Sequence, residues 1–217
     1  MLDLLHTFLD FILHIDVYLQ LWVSDYRTWT YAFLFLIIFC ETGLVVTPFL
    51  PGDSLLFAAG TIAAMDGEPL NVFLLVIVLM TATFLGDNSN YFIGKFLGQK
   101  VYEKDYRLIK RKYLDKTHSF YEKHGGKTII IARFMPIIRT FAPFVAGVGS
   151  MTYLRFLSFS VIGNILWVNF FIWLGYFFGN TEIVKTHFSL VILSIIFISI
   201  LPPIIGIIKH KYFSKTS

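Results

Sequence analysis

Residues 128–140, Thr128-Ile-Ile-Ile-Ala-Arg133-Phe-Met-Pro136-Ile-Ile-Arg139-Thr140, place two arginines in a stretch that is otherwise apolar. An earlier stretch carries the opposite charge, because Glu41 interrupts the apolar run 28–50 and Asp53 follows it closely. A charge at membrane depth has a large free-energy cost, so it persists only where it is paired, hydrated or functional. These four charged residues are therefore the strongest indication of how the chain folds and what it does.

The composition indicates an integral membrane protein. Of the 217 residues, 56% are hydrophobic and 15% are charged, whereas a soluble domain carries roughly 25% charged residues. Four stretches approach the length of about 20 residues that a spanning helix needs, and they are residues 28–50, 69–86, 156–181 and 188–208. A soluble core would have to bury four such helices on every side, which a chain of this length does not allow. The single cysteine, Cys40, excludes a disulfide framework within one chain, and we expect no metal and no cofactor.

The N-terminal residues 1–27 are predicted to form an amphipathic helix at the membrane interface. Apolar residues recur at three- and four-residue spacing over residues 5–19, against Asp3, Asp10 and Asp16. A spanning placement would leave these acids in lipid, so the interface is favoured. The acids also argue against a secretory signal peptide, which begins with a basic segment.

Positive charge is concentrated between the second and third apolar stretches. Ten lysines and arginines lie from Lys95 to Lys127, accompanied by four acids, and the tail after residue 208 is also basic. Beside membrane spans, such charge marks the cytoplasmic side and attracts anionic headgroups. Both termini are therefore predicted to be cytoplasmic. A nucleic-acid partner is not expected, because no recognition motif accompanies the charge.

Prolines and a glycine interrupt both charged stretches. Pro48 and Pro51-Gly52 precede a short apolar segment at residues 55–64, and Pro136 and Pro143 interrupt the second apolar stretch, which extends over residues 127–149. Proline lacks the N–H that an interior helical residue donates and glycine is a poor helix former, so these five residues are predicted to break regular helices. At about 1.5 Å per residue, the 55–64 segment is too short to cross a bilayer. Each stretch is therefore predicted to enter the membrane and return on the same side, as a re-entrant hairpin.

The two halves of the chain share one order of features. In residues 28–98 and 127–181, a broken apolar stretch ends in Ala-Gly, and a long span follows with Gly-Asp or Gly-Asn and then a small-xxx-small pair. Transporters often contain such repeats. The sequence thus predicts an all-α membrane protein with about four spans and two opposed re-entrant helical hairpins in an inverted repeat. Residues 28–183 would form this domain, with residues 99–126 joining its halves, and residues 184–217 would form a last span and a cytoplasmic tail.

Two motifs resemble the paired signatures of the DedA family of membrane proteins. The first is Phe39-Cys-Glu41-Thr-Gly43 followed by Pro48-Phe-Leu-Pro51-Gly52-Asp53-Ser54. The second is Arg133-Phe-x-Pro136-x-x-Arg139-Thr140 followed by Ala146-Gly147. The resemblance covers nearly the whole chain. It implies a multi-pass protein of the bacterial inner membrane that shares a domain with eukaryotic VTT-domain lipid scramblases.

The resemblance also implies a function and a set of residues. Some members of the family recycle undecaprenyl phosphate, and members are proposed to use the proton-motive force and to support envelope integrity. The family depends on an acidic pair and an arginine pair, which fall here on Glu41, Asp53, Arg133 and Arg139.

The chemistry of the four residues suits an anionic lipid. Arginine remains protonated and its planar fork binds phosphate through two hydrogen bonds, so Arg133 and Arg139 are predicted to contact the headgroup. Glu41 and Asp53 are the predicted proton carriers, because a carboxylate that alternates between an arginine-paired and a lipid-facing state could take up and release a proton. The alternative is a fixed ion-pair network that only holds the two hairpins together.

Other polar residues are weaker candidates for lining the path of the lipid. Asp87, Asn88 and Asn90 could instead form hydrogen bonds between helices, and Ser54 could instead cap a helix. Lys127 lies at the predicted cytoplasmic mouth and could attract headgroups. The full set of weaker candidates is Ser54, Asp87, Asn88, Asn90, Lys127 and Thr140.

The sequence predicts a transporter of membrane lipids and protons rather than an enzyme. A membrane phosphatase would need a histidine, aspartate or metal constellation at headgroup depth, and no histidine lies in a predicted span. Two alternatives remain open. A proton-coupled ion or osmolyte exchanger could use the same charges, and a non-transporting envelope or cell-division scaffold could use the interfacial helix. The small-xxx-small pairs allow a homo-oligomer as well as packing within one chain.

Overall fold

A computed structural model describes residues 15–26, 28–44, 52–65, 70–103, 126–149, 151–179, 181–188, 190–195, 197, 198 and 201. The regular structure of these residues is entirely helical, which confirms the predicted all-α class. The elements in chain order are α1 (Ile15–Tyr26), α2 (Trp29–Gly43), α3 (Gly52–Ala63), α4 (Val72–Glu103), α5 (Lys127–Ala132), α6 (Pro136–Val148), α7 (Tyr153–Phe178) and α8 (Glu182–Thr186).

Two of the helices are long and apolar enough to cross a membrane. These segments are Val72–Gly98 in α4 and Tyr153–Phe178, which is α7. Both helices expose large apolar side chains, such as Ile77 at 62% and Leu154 at 77%. Soluble proteins rarely present large continuous apolar surfaces to water, so this exposure fits helices surrounded by lipid. The α4 helix begins where Asn71 caps it, because the Asn71 side-chain oxygen accepts hydrogen bonds from the N–H groups of Phe73 at 2.9 Å and Leu74 at 3.2 Å.

The remaining predicted segments are described in part. The first predicted span contains α2, which is 15 residues long. Residues 45–51, which include Pro48 and Pro51, lie outside the described residues. Residues 1–14 of the predicted interfacial helix and about half of the predicted last span also lie outside the described residues. The predicted joining segment 99–126 begins in the helix, since α4 continues to Glu103, and residues 104–125 also lie outside the described residues.

The predicted break at Pro136 is present, whereas the one at Pro143 is wrong. Between α5 and α6 the chain leaves helical geometry at Met135, whose φ of −119° and ψ of 107° are extended, and Pro136 is the first residue of α6. A residue before proline favours this conformation, and proline suits the first helical turn because its missing N–H is not needed there. Pro143 lies inside α6, which continues to Val148. A proline removes one interior hydrogen bond, but the turn that follows Pro143 is held in place on α4 by the close contact of Gly147 with Tyr91.

The chain divides into two compact units. The first comprises Met1–Thr30, Pro51–Leu74 and Phe170–Ser217, and the second comprises Tyr31–Leu50 and Leu75–Asn169. The first unit thus holds α1, α3, the end of α7 and α8. The second holds most of α2 and α4, all of α5 and α6, and the first part of α7.

In the first unit the core is α3. Every residue from Gly52 to Ile62 is buried, and α1 packs against this helix. A Cβ atom at Gly60 would overlap with the carbonyl group of Ile172, and one at Gly175 would overlap with the carbonyl oxygen of Phe57. The hydroxyl group of Thr61 donates a hydrogen bond to the Gly175 carbonyl oxygen at 3.3 Å. Glycine is therefore required where α3 meets the end of α7, because the two backbones touch.

In the second unit α6 packs on α4 through an equivalent set of glycines. A Cβ atom at Gly147 would overlap with the carbonyl oxygen of Tyr91, and one at Gly94 would overlap with that of Phe144. A Cβ atom at Gly98 would lie 2.9 Å from the Val148 carbonyl oxygen. The small-xxx-small pairs thus serve close packing, as predicted. In both units they do so within one chain, so they give no support to a homo-oligomer.

The glycine contacts predict a difference in stability between two alanine variants. We expect Gly147→Ala to lose about 1–3 kcal/mol of stability, or more, because its methyl group would enter the Tyr91 backbone and α6 would have to move from α4. Gly43→Ala is the matched control, since a Cβ atom there would lie 3.1 Å from the Gly86 Cα atom and needs only a small shift. Thermal unfolding of the purified protein in detergent, followed by tryptophan fluorescence, measures both. Equal midpoints for the two variants would contradict the packing argument.

Candidate functional site

Among the described residues of the second unit, four buried charged side chains form two ion pairs. The first joins α6 to α2: the Arg139 guanidinium contacts the Glu41 carboxylate, and the two side chains are 2% and 0% exposed. Arg139 lies in the first turn of α6, and its N–H donates to the carbonyl oxygen of Met135 at 2.9 Å, so the restart of the helix after the break determines where this side chain points. The Arg139 guanidinium carbon also lies 4.8 Å from the ring centroid of Trp167 on α7, at cation–π distance.

The second ion pair joins the break between α5 and α6 to α4. Arg133 directly follows α5, and its guanidinium contacts the Asp87 carboxylate, with both side chains at most 1% exposed. The same Asp87 oxygen accepts hydrogen bonds from the Ser160 hydroxyl group and from the Asn164 amide at 3.1 Å, both on α7. Gly163 provides room for the arginine, since a Cβ atom there would lie 3.1 Å from Arg133 Cγ. Buried charge is tolerated here because it is paired and hydrogen-bonded.

Asn90 ties three helices together beside these pairs. Its side-chain amide donates to the carbonyl oxygens of Thr42 on α2 at 3.0 Å and of Thr140 on α6 at 2.6 Å. Both threonines are buried. Asn90 therefore forms the hydrogen bonds between helices that its alternative interpretation predicted. Thr42 directly follows Glu41 and Thr140 directly follows Arg139, so this one amide holds both segments beside the same turn of α4.

The remaining candidates occupy different surroundings. Asn88 is half-buried, and its side-chain oxygen accepts a hydrogen bond from the Tyr153 hydroxyl group at 2.7 Å. Lys127 is exposed at the start of α5. Asp53 and Ser54 belong to the first unit, where they lie in the first turn of α3 and are 5% and 0% exposed.

Several contacts of this site were not expected from the sequence. Asp87, considered as a path-lining residue or as a hydrogen-bonding residue between helices, is the observed counter-ion of Arg133. The α7 residues Ser160, Asn164 and Trp167 complete the surroundings of the two arginines. Their spacing of four and three residues places them on one face of α7, and this spacing was the available signal. Among the described residues, no group of three or more His, Cys, Asp or Glu side chains could hold a metal ion.

Comparison with known proteins agrees with this arrangement of motifs. Residues 50–177 match the family model of the VTT domain. Protein DedA of Escherichia coli K12 is 56% identical over 211 residues, which cover 97% of this chain and 96% of that protein. The chain belongs to the DedA family. The resemblance inferred from the two motifs is thereby confirmed.

Other relatives of this DedA-family protein are named as membrane proteins. An uncharacterized membrane protein of Mycobacterium tuberculosis is 42% identical over 174 residues, covering 80% of this chain and 76% of the relative. Inner membrane protein YqjA of Escherichia coli K12 is 33% identical over 174 residues, covering 75% of this chain and 77% of the relative. No solved structure matches significantly. Together with the two long apolar helices, these relatives identify a DedA-family membrane protein.

Proposed function

We propose that this DedA-family protein moves an anionic lipid, either a phospholipid or undecaprenyl phosphate, across the inner membrane with the help of the proton-motive force. The observation that carries the proposal is the pairing of two buried arginines with two buried carboxylates, Arg139 with Glu41 and Arg133 with Asp87. Ionisable groups at membrane depth are costly and usually mark a transport path, and a phosphate group is an alternative partner for each arginine.

The proposed exchange of partners needs no covalent chemistry. An arriving phosphate would replace a carboxylate at an arginine, and the ion pair would form again when the lipid leaves. Arg133 has the capacity for this, because its Nη1 atom has no hydrogen-bond partner among the described residues. An arginine fork that already contacts one carboxylate oxygen can thus offer further donors to phosphate. The protein would act as a flippase or scramblase and not as an enzyme.

A proton can be coupled to this exchange through the carboxylates. A protonated carboxyl group no longer competes with phosphate for the guanidinium group. Proton uptake by Glu41 would therefore release Arg139 for the lipid, and proton loss would restore the pair. Asp53 would be the second proton carrier, in the first turn of the buried helix α3. Lys127, exposed at the start of α5, would attract headgroups from the cytoplasm.

We also propose the opposed re-entrant hairpins and the inverted repeat as the architecture for this transport. Each unit by itself supports the repeat. In the first unit Gly60 contacts Ile172 and Gly175 contacts Phe57, so each glycine lies three residues after the residue that the other glycine contacts. In the second unit Gly147 contacts Tyr91 and Gly94 contacts Phe144, with the same three-residue spacing. The short length of α3 and the burial of its residues from Gly52 to Ile62 support a segment that does not cross the bilayer. The basic stretch before residue 127 would face the cytoplasm, with both termini on that side.

Reconstituted liposomes test the proposal directly. Purified protein is incorporated with a fluorescent anionic phospholipid, with undecaprenyl phosphate or with a zwitterionic phospholipid, and the movement of each between leaflets is measured with and without a pH gradient. We expect faster movement of the anionic lipids, further increased by the gradient. Equal rates for anionic and zwitterionic lipids would contradict headgroup recognition by arginine. No movement of any lipid would overturn the transport function and favour another cargo or a scaffold.

A further inference from the structure

A groove opens between the two long helices in the second unit. It has a volume of about 220 Å³ and is lined by Met80, Thr81 and Phe84 of α4 and by Val161 and Asn164 of α7. Thr81 is exposed, and Met80, Phe84 and Val161 are half-buried, so the groove is open at the surface of the described part of the chain. Its lining residues lie near the middle of the spans Val72–Gly98 and Tyr153–Phe178. In a bilayer the mouth of the groove would therefore face the hydrocarbon core.

The surface around the groove is apolar. On α4 the exposed fractions of Ile77 and Leu85 are 62% and 42%, and on α7 that of Leu166 is 49%. Water is scarce at this depth of a membrane, so the available occupants are hydrocarbon chains and other helices. The groove is smaller than the roughly 300–1,000 Å³ of a pocket that encloses a whole small molecule. It would therefore hold a part of a longer, thin molecule.

The inner end of the groove is polar. Asn164 is 2% exposed; its amide nitrogen donates to Asp87 at 3.1 Å, and its amide oxygen has no hydrogen-bond partner among the described residues. Asp87 in turn contacts Arg133. An unsatisfied buried oxygen is costly, so a ligand that places a hydroxyl donor there would be stabilised, whereas a wholly apolar occupant would not be. The groove thus leads from the lipid surface through Asn164 and Asp87 to a buried cation.

We propose that this groove binds one hydrocarbon chain of an anionic lipid that enters sideways from the membrane, with its hydroxyl-bearing polar end at Asn164. A phosphate monoester and a glycerol headgroup both provide such a hydroxyl donor. Met80 and Phe84 give the chain an adaptable apolar wall, because methionine fills irregular gaps. The polar end would then lie beside Asp87, the counter-ion of Arg133. The identity of the cargo rests on the proposed function, whereas occupation of the groove by a lipid chain can be tested without transport.

The first test counts the lipids that remain bound to purified protein in native mass spectrometry. Val161→Trp fills the groove, and Ile165→Trp is the matched control, because Ile165 is an exposed residue on the same helix and does not line the groove. With phosphatidylglycerol present, we expect wild type and Ile165→Trp to retain a lipid that Val161→Trp loses. Thr81→Trp covers the exposed mouth and replaces Val161→Trp if that variant does not fold. Retention of the lipid by both groove variants would overturn the proposal.

The second test examines the polar contact at Asn164 separately from the binding of the hydrocarbon chain in the groove. Asn164→Leu keeps an apolar groove but removes the amide, and we expect it to lose the preference for phosphatidylglycerol over phosphatidylcholine that wild type shows. Absence of any such preference in wild type would overturn the hydroxyl contact. A change of oligomeric mass in Val161→Trp, without loss of lipid, would identify a helix of a second copy as the occupant and overturn the proposal.

Transport rates of wild type and the groove variants distinguish a failure of the groove proposal from a failure of the proposed function. If wild type moves anionic lipids, Val161→Trp is expected to reduce the rate about tenfold, the effect of losing roughly 1.4 kcal/mol of binding, while Ile165→Trp leaves it unchanged. An unchanged rate in a folded Val161→Trp protein would contradict the groove as the path. If wild type moves no lipid but the groove variants still lose the bound one, the lipid site is supported and the proposed transport fails.

Discussion

Arg139→Ala is expected to reduce translocation of anionic lipids about 100-fold, because it removes the guanidinium group that contacts Glu41 and would bind the phosphate. A hydrogen bond to a charged group contributes about 1.5–3 kcal/mol, and the upper end of this range corresponds to about 100-fold in rate. Arg139→Lys keeps the charge but not the planar fork, so an intermediate rate is expected. Lipid movement in reconstituted liposomes, normalised to the amount of incorporated protein, is the measurement.

Arg155→Ala is the matched control for this prediction. Arg155 is an exposed arginine near the start of α7, and its removal should leave translocation within about twofold of wild type, because a solvent-exposed charge contributes little. The variant Glu41→Gln/Arg139→Gln separates transport from folding. It replaces the charged pair by neutral polar side chains and leaves no unpaired buried charge, so it should recover stability that Arg139→Ala loses and yet remain inactive. A folded Arg139→Ala protein with normal translocation would show that the pair has only a structural role.

Asp87→Ala is expected to destabilise the protein by about 3–5 kcal/mol, because it leaves the buried Arg133 without its observed counter-ion. It also removes the acceptor of the hydrogen bonds from Ser160 and Asn164. Asp87→Asn keeps an acceptor oxygen while it removes the charge, so its loss of stability should be smaller. Glu182→Ala, at an exposed acid in α8, is expected to change stability by no more than about 0.5 kcal/mol.

A double-mutant cycle tests whether Asp87 acts through Arg133. Stability is measured for Asp87→Ala, Arg133→Gln and the double variant by unfolding in detergent micelles. Residues in one buried network couple by about 0.5–3 kcal/mol, so the double variant should be less damaged than the sum of the single changes. Additive losses would mean that the two side chains do not depend on each other, and the second ion pair would then have no part in holding the site.

Local patterns in the sequence were sufficient for the class of fold and for the choice of charged residues. Long apolar runs identified α4 and α7, since helix formation in lipid depends on the hydropathy of consecutive residues. The small-xxx-small pairs identified the faces where backbones touch. Glu41, Arg133 and Arg139 stood out because charge is rare in apolar sequence, and all three are buried in ion pairs. The break at Pro136 was predicted from the covalent structure of proline.

The partners of these residues were decided only by the tertiary structure. Arg133 pairs with Asp87, which lies 46 positions away and belongs to a polar cluster that had two plausible interpretations. The helix continues through Pro143, although the same rule that predicted Pro136 predicted a break there. Hydropathy and proline content are properties of neighbouring residues. An ion pair between distant residues depends instead on the rotation of each helix and on its distance from the neighbouring helix. Between α4 and α6, the glycine contacts allow the close approach that sets this distance.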